Sequence, residues 1–200
     1  MRNFLSDFAK LVKLRLSFLV VFSASISFLI GSKEQGFVNW TNWFLLTIGG
    51  FLVTAAANGF NEIIEKDLDK LMKRTADRPI PAGRMTTGQA LVLSIFMSII
   101  GTLILVRLNF LTGVLSVFSI FFYAFIYTPM KRKSPIAVFL GAIPGALPPL
   151  IGYFAAFENP AIFERNQPAV IRALVDTSMN GLLRSEYLPE GSVTIHRKSP

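Results

Sequence analysis

The 200-residue sequence contains no cysteine, only one histidine and few charged residues. Without cysteine, disulfide bonds and thiolate metal sites are excluded. The histidine is His196, so residues 1–157 offer neither histidine nor cysteine as a metal ligand. Charged residues make up only 16% of the chain and hydrophobic residues 52%, a balance too apolar for a soluble domain.

Five long apolar runs occupy most of the first 157 residues. A helix needs about 20 residues to cross the hydrocarbon core of a bilayer, and each run reaches this length alone or with its flanking residues. The predicted fold class is therefore all-α, a polytopic membrane helical bundle in the lipid bilayer. The five predicted spans are Leu16–Gly31, Trp43–Phe60, Ala90–Val106, Leu108–Thr128 and Pro135–Phe157.

The lysines and arginines alternate in density along the chain. The N-terminal tail has 4 of them, and the four loops that follow have 1, 6, 1 and 3. The positive-inside rule then predicts a cytoplasmic N-terminus and cytoplasmic second and fourth loops. We expect a multi-pass protein of the cell (inner) membrane. Because these charges are scattered between apolar runs, we do not expect nucleic-acid binding, despite a net charge of +8.

The character of the sequence changes after Phe157. The remaining residues mix both charge signs and contain no run that could span a membrane. We therefore predict two regions, a membrane portion over residues 1–157 and an atypical non-membrane tail over residues 158–200.

The second loop holds a candidate metal site. Asn61, Glu65 and Asp69 are spaced by four, which places them on one face of a helix, whereas Asp67 points nearly the opposite way. Two carboxylates and an amide oxygen are hard ligands suited to Mg²⁺. The alternative is a solvated helix with ordinary mixed charges at four-residue spacing.

A candidate phosphate site follows the acidic face. Arg74 and Arg78 are again four apart, and guanidinium groups match phosphate oxygens in bidentate fashion. We expect Pro79 and Pro81 to stop the helix and force an extended exit. In the last apolar run, "PGALPPL" contains enough proline and glycine to break a membrane helix, which is tolerated where the backbone lines a cavity.

Two segments resemble the UbiA superfamily of intramembrane prenyltransferases. "NEIIEKDLDKLMKRTADRPIPAGR" is similar to its first aspartate-rich motif, N-x3-D-x3-D, with Glu65 in place of the first aspartate. "YTPMKRKSPIAVFLGAIPGALPPLIGY" contains its Y-x3-K motif as Tyr127 and Lys131. Both segments resemble the haem O synthase branch in particular, and the resemblance covers roughly residues 10–157.

The resemblance implies an activity and its partners. It implies transfer of a farnesyl group from farnesyl diphosphate to a vinyl group of haem B (protohaem IX), which gives haem O and diphosphate. It implies Mg²⁺ as cofactor, and haem A synthase or terminal oxidase assembly as downstream partners. Matched to the motifs, Asn61, Glu65 and Asp69 would hold the metal. Arg74, Arg78 and Lys131 would bind the diphosphate and Tyr127 would donate a hydrogen bond to it.

The chain departs from the family pattern in its second half. The superfamily has another aspartate-rich motif, D-x3-D, in a later cytoplasmic loop, and this chain lacks it. About five of an expected nine helices are present, so the chain resembles the N-terminal portion of a family member. We expect little or no activity from it alone. Two alternatives stay open: another UbiA-type enzyme that prenylates an aromatic or quinone precursor, and a non-catalytic membrane fragment.

Overall fold

The computed structural model describes residues 4–157, and within this range the protein is entirely helical. The helices, in chain order, are α1 (Phe4–Leu11), α2 (Leu14–Gln35), α3 (Trp40–Asp69), α4 (Thr87–Leu108), α5 (Phe110–Phe121), a π-helical segment (Phe122–Tyr127), α6 (Thr128–Met130) and α7 (Ala137–Ala155).

Five helical stretches are long and apolar enough to cross a membrane. They are α2, α3, α4, α7 and the continuous stretch Phe110–Met130 formed by α5, the π-helical segment and α6. The predicted all-α membrane bundle with five spans is therefore confirmed. Many large apolar side chains on these helices are exposed, including Phe22, Phe96 and Phe139. Such a surface is stable against lipid rather than water, so the protein is a multi-pass membrane protein.

Small residues let the helices approach closely. A methyl group placed on Gly152 of α7 would lie 2.0 Å from the carbonyl oxygen of Ala24 of α2. A methyl group on Gly59 of α3 would lie 2.1 Å from Ser94 Oγ of α4. Interfaces of small residues are typical of membrane bundles, where van der Waals packing drives association because lipid is as apolar as leucine.

Polar contacts at opposite ends of the bundle fix its topology. At one end, Lys131 contacts Glu65, which joins the segment after α5 to the end of α3. At the other end, the Tyr153 hydroxyl donates to Glu34 (2.7 Å) and the Gln35 amide donates to the carbonyl oxygen of Ala156 (2.6 Å). Arg84 of the second loop also contacts Asp7 of α1, so the basic N-terminal tail, second loop and fourth loop share one end of the bundle.

Two local expectations about proline are wrong. Helix α3 ends at Asp69, ten residues before Pro79, and residues 70–85 form turns rather than an extended exit. The hydroxyl of Thr75 folds back onto the carbonyl oxygen of Asp69 (3.0 Å), which satisfies the helix end before proline is reached. Helix α7 is continuous across "PGALPPL", with three prolines inside it. Membrane bundles tolerate helical proline because neighbouring groups satisfy the freed carbonyls.

Candidate functional site

The three oxygen-bearing residues of the acidic face lie on the last turns of α3. Asn61, Glu65 and Asp69 are 0%, 7% and 1% exposed, so all three point into the protein rather than into solvent. Asp67, between them in sequence, is exposed. The predicted helical spacing is therefore present, and these side chains do not form an ordinary solvated face.

Both buried carboxylates contact a cation from another segment. Lys131 Nζ lies 2.8 Å from Glu65 Oε2, and Arg78 Nη1 lies 2.5 Å from Asp69 Oδ2. A buried carboxylate without such a partner would lose several kcal/mol of hydration with nothing in return. These two ion pairs hold the loop after α3, through Arg78, and the segment after α5, through Lys131, against the acidic face.

Lys13 is a third cation at the site, and the sequence analysis missed it. Its Nζ donates to Asn61 Oδ1 at 2.6 Å. Burial, together with the positive charges of Arg78 and Lys131, lowers the pKa of Lys13 to about 8, against an opposing effect of Glu65 and Glu62. The only signal in the sequence is that Lys13 lies three residues before the first predicted span, as one of the four basic residues of the N-terminal tail.

Asn61 is held in one orientation by hydrogen bonds. Its Nδ2 donates to Glu65 Oε2 and to Thr128 Oγ1, both at 3.0 Å. Thr128 Oγ1 in turn donates to the carbonyl oxygen of Tyr123 at 2.8 Å. These bonds fix the amide with its oxygen toward Lys13, and they connect α3 to the π-helical segment. Thr128 is a second residue that sequence reasoning missed, although it directly follows Tyr127.

Tyr127 lies at the end of the π-helical segment. Its ring stacks on that of Tyr123 with centroids 5.7 Å apart, and Lys131 Nζ lies 5.8 Å from its centroid. The helix widens here because the N–H of Thr128 bonds to the carbonyl oxygen of Tyr123, five residues back. The next residue, Pro129, has no N–H to continue an α-helical ladder. Lys131 thus contacts Glu65 on the acidic face, and the ring of Tyr127 lies beside Lys131.

Of the two arginines predicted to bind phosphate, only Arg78 joins this cluster. Arg74 is exposed, and no hydrogen bond or ion pair within residues 4–157 links it to the acidic face. The four-residue spacing of Arg74 and Arg78 would align them on a helix. Because α3 has already ended at Asp69, the spacing does not align them here.

Glu62 secures the loop that carries Arg78. It is fully buried, and its Oε1 accepts a hydrogen bond from the backbone N–H of Ile80 at 3.1 Å. Its Oε2 has no hydrogen-bond partner within the described part of the chain. Arg84 also anchors the loop. It forms ion pairs with Asp7 of α1 (2.8 Å) and with Asp77 of the same loop (3.1 Å).

A mainly apolar cavity of about 220 Å³ opens beside the cluster. Tyr127 and Asn58, one helical turn before Asn61, belong to its wall. Helices α2, α3, α5 and α7 supply the rest, including Val20, Val53 and Pro144. Through Tyr127 and Asn58 the polar cluster borders this apolar slot, whose wall does not include the charged side chains.

The donor chemistry of the cluster fits Mg²⁺. No group of three or more histidine, cysteine or acidic side chains within residues 4–157 could hold a metal by itself. Glu65 and Asp69 supply two carboxylates and Asn61 supplies an amide oxygen, all hard donors. Mg²⁺ is usually held in this way, by one or two carboxylates with waters and substrate phosphates completing the shell.

Comparisons with known proteins agree on one family. The family model described as "UbiA prenyltransferase family" matches residues 20–175. This match runs past residue 157, and the division of the chain at that residue stays a prediction. No solved structure matches the chain.

Several similar curated proteins are named protoheme IX farnesyltransferase. The protein from Cytophaga hutchinsonii is 50% identical over 147 residues, which is 73% of this chain and 51% of the relative. Those from Christiangramia forsetii and Flavobacterium johnsoniae are 44% and 39% identical, over 77% and 75% of this chain and 50% of each relative. The chain spans about half the length of the curated relatives it matches. Since the family model covers more than half of the chain, the protein belongs to the UbiA prenyltransferase family.

Proposed function

We propose that the protein transfers a farnesyl group from farnesyl diphosphate to the vinyl group of protohaem IX. In this reaction the allylic carbon–oxygen bond breaks, and its electron pair leaves with the diphosphate. The terminal vinyl carbon then bonds to the allylic carbon, and water adds to the other vinyl carbon with loss of a proton. The products are haem O and diphosphate.

The observation that carries this proposal is the position of the charged cluster beside the apolar cavity. A prenyl diphosphate has the same two parts, a strongly anionic head and a hydrocarbon tail. Arg78 and Lys131 would bind the head, while the slot beside Tyr127 would receive the tail. Arg74 remains a weaker candidate because it is exposed.

The cations suit the chemistry of the leaving group. Negative charge builds up on the diphosphate as the allylic bond breaks, and cations already held in place stabilise that charge without reorganising. We assign this role to Arg78 and Lys131, with Tyr127 donating a hydrogen bond. Asn61, Glu65 and Asp69 would hold Mg²⁺, which would supply further positive charge to the leaving group.

The cavity suits the other product of bond breaking, an allylic cation. Water would quench this cation, so an apolar slot that excludes water protects it. The stacked rings of Tyr123 and Tyr127 present aromatic faces in the wall of the slot, where cation–π attraction would stabilise the developing charge. Residues 1–157 lack histidine and cysteine, so they would bind haem by shape and polar contacts and not by ligation of its iron through either residue.

We further propose an orientation and a place in the cell. The three basic segments that share one end of the bundle carry most of the lysines and arginines outside the spans, and the positive-inside rule assigns that end to the cytoplasm. The cluster would then bind the diphosphate head of the prenyl substrate at the cytoplasmic side of the inner membrane. Haem O would pass to haem A synthase or to terminal oxidase assembly.

The direct test is turnover in reconstituted membranes. The chain is incubated with haem B, farnesyl diphosphate and Mg²⁺. The haems are then separated by chromatography and identified by their masses in mass spectrometry. Haem O with an equal amount of released diphosphate supports the proposal. Reaction only with a quinone or other aromatic acceptor would instead assign the protein to a different branch of the family.

A second candidate function is a membrane protein that binds prenyl diphosphate without turning it over. The cations of the cluster support this candidate as well, because Arg78 and Lys131 would bind a diphosphate head whether or not transfer of the prenyl group follows. Saturable binding of farnesyl diphosphate with no product under any acceptor condition would select this candidate.

A further inference from the structure

Lys13 is the cation of the cluster that the proposed function leaves without a role. It occupies the junction between α1 and α2, and its side chain is only partly exposed. The ammonium group contacts Asn61 Oδ1 at 2.6 Å. Its direct partner is thus a neutral amide, in contrast to Lys131 and Arg78, which each contact a carboxylate.

The backbone is bent to direct Lys13 inward. Lys13 has φ 48° and ψ 57°, the left-handed region, and it is the one residue other than glycine with positive φ within residues 4–157. Two side chains hold the junction: Ser17 Oγ and Asn58 Nδ2 donate to the carbonyl oxygen of Val12 at 2.7 and 3.2 Å. A strained conformation that neighbours over-determine is a feature of functional sites.

The surroundings of this ammonium are suited to an anion. Lys131 is linked to the ammonium through two residues, since Glu65 Oε2 accepts hydrogen bonds from Lys131 Nζ (2.8 Å) and from Asn61 Nδ2 (3.0 Å). The positive charges of Arg78 and Lys131 both act on the ammonium. Partly buried ammonium groups are stable when a carboxylate or phosphate contacts them directly, and an amide oxygen compensates less charge. A diphosphate between these cations would supply the missing partner.

We propose that Lys13 is a further diphosphate-binding residue, and that in the free protein its ammonium occupies the amide oxygen of Asn61 that the metal would use. The proposal rests on the proposed function, since it requires the diphosphate of the prenyl substrate at this site. When the substrate is present, the ammonium moves from the Asn61 oxygen to a phosphate oxygen.

This arrangement has an unusual consequence for binding. A divalent cation and the Lys13 ammonium compete for Asn61 Oδ1, so removal of the ammonium should strengthen binding of the metal alone. The same change removes a charge-assisted hydrogen bond to diphosphate, so it should weaken binding of the prenyl substrate. A residue with a merely structural role would shift both affinities in the same direction.

The experiment measures both affinities on the 200-residue chain in lipid nanodiscs. Mn²⁺ alone is titrated by the electron paramagnetic resonance signal of the free ion, and farnesyl diphosphate with Mg²⁺ by calorimetry. The variants are Lys13→Met, and Lys13→Gly, which suits the left-handed backbone and so keeps the junction folded. Lys70→Met is the matched control because Lys70 is exposed and directly follows Asp69.

We expect both Lys13 variants to bind farnesyl diphosphate about tenfold more weakly, the effect of one charge-assisted hydrogen bond. We expect them to bind Mn²⁺ alone about tenfold more tightly. Lys70→Met should change either affinity by less than about twofold, since its charge is screened by water.

The outcomes separate the two proposals. If the unaltered chain binds farnesyl diphosphate and the Lys13 variants bind it equally well, the role of Lys13 is wrong and the proposed function stands. Parallel weakening of both ligands would make Lys13 structural. If the unaltered chain binds no farnesyl diphosphate, the proposed site and the role of Lys13 both fail.

Discussion

Lys131 Nζ lies 2.8 Å from Glu65 Oε2, although the two residues are 66 positions apart in the chain. The side chain of Glu65 is 9% exposed and that of Lys131 is 31% exposed, so the pair is partly shielded from water. This contact joins the end of α3 to the segment that follows α5. It also places the two motifs of the sequence, N-x3-D-x3-D and Y-x3-K, at a single site.

Removal of the Lys131 ammonium should therefore weaken binding of farnesyl diphosphate. In Lys131→Met the leaving group loses one cation, and we expect about tenfold weaker binding in the presence of Mg²⁺, measured by calorimetry in nanodiscs. Lys133→Met is the control, because Lys133 is exposed in the same loop and carries the same charge. Equal losses in the two variants would point to general attraction by a basic loop instead of a specific contact.

The Asp69–Arg78 pair should contribute to stability. Asp69→Asn leaves Arg78 beside a neutral side chain, and we expect a loss of about 2–3 kcal/mol in unfolding free energy, measured by denaturant titration in mixed micelles. Removal of one partner from a fully buried ion pair costs about 3–5 kcal/mol. The loss expected here is smaller because the side chain of Arg78 is 22% exposed. Asp67→Asn should be nearly neutral, since Asp67 is exposed. A comparable loss in both variants would rule out the pair as the cause.

The carboxylate of Glu62 should control the order of the loop after α3. Glu62→Ala leaves the buried N–H of Ile80 without its acceptor, which costs about 1–3 kcal/mol. We expect faster hydrogen exchange over residues 70–85, followed by mass spectrometry. Glu62→Gln keeps a carbonyl acceptor and should exchange almost as slowly as the unaltered protein. If the glutamine variant exchanged as fast as the alanine variant, the bond to Ile80 would not be what orders the loop.

Contact between α2 and α7 should depend on Gly152. In Gly152→Ala the new methyl group meets the carbonyl oxygen of Ala24 at 2.0 Å, so the helices must separate. We expect a loss of about 1–3 kcal/mol, measured by the same titration. Gly145→Ala, on the same helix, meets no atom within 4 Å and should be neutral or stabilising by up to about 1 kcal/mol. Similar unfolding free energies of both variants in the denaturant titration would show that the interface can adapt.

Local spacing made part of the site predictable. Asn61, Glu65 and Asp69 share a face in any α-helix, and α3 is helical through all three. The same reasoning failed for Arg74 and Arg78, because helix spacing carries no information after the helix has ended at Asp69. It also failed for "PGALPPL", where neighbouring helices compensate for proline in a way that the sequence of α7 alone does not reveal.

The length of the apolar runs by itself determined that this protein is an α-helical membrane bundle, because an unbroken apolar run of about 20 residues crosses lipid as a helix that satisfies its own backbone hydrogen bonds. The density of basic residues also predicted which loops share one end of the bundle. Only the tertiary structure decided which cation contacts which oxygen. Lys13, Glu62 and Thr128 became part of the cluster through a left-handed junction, a loop hydrogen bond and a π-helical turn. Those contacts join residues distant in the chain, and no local pattern encodes such distances.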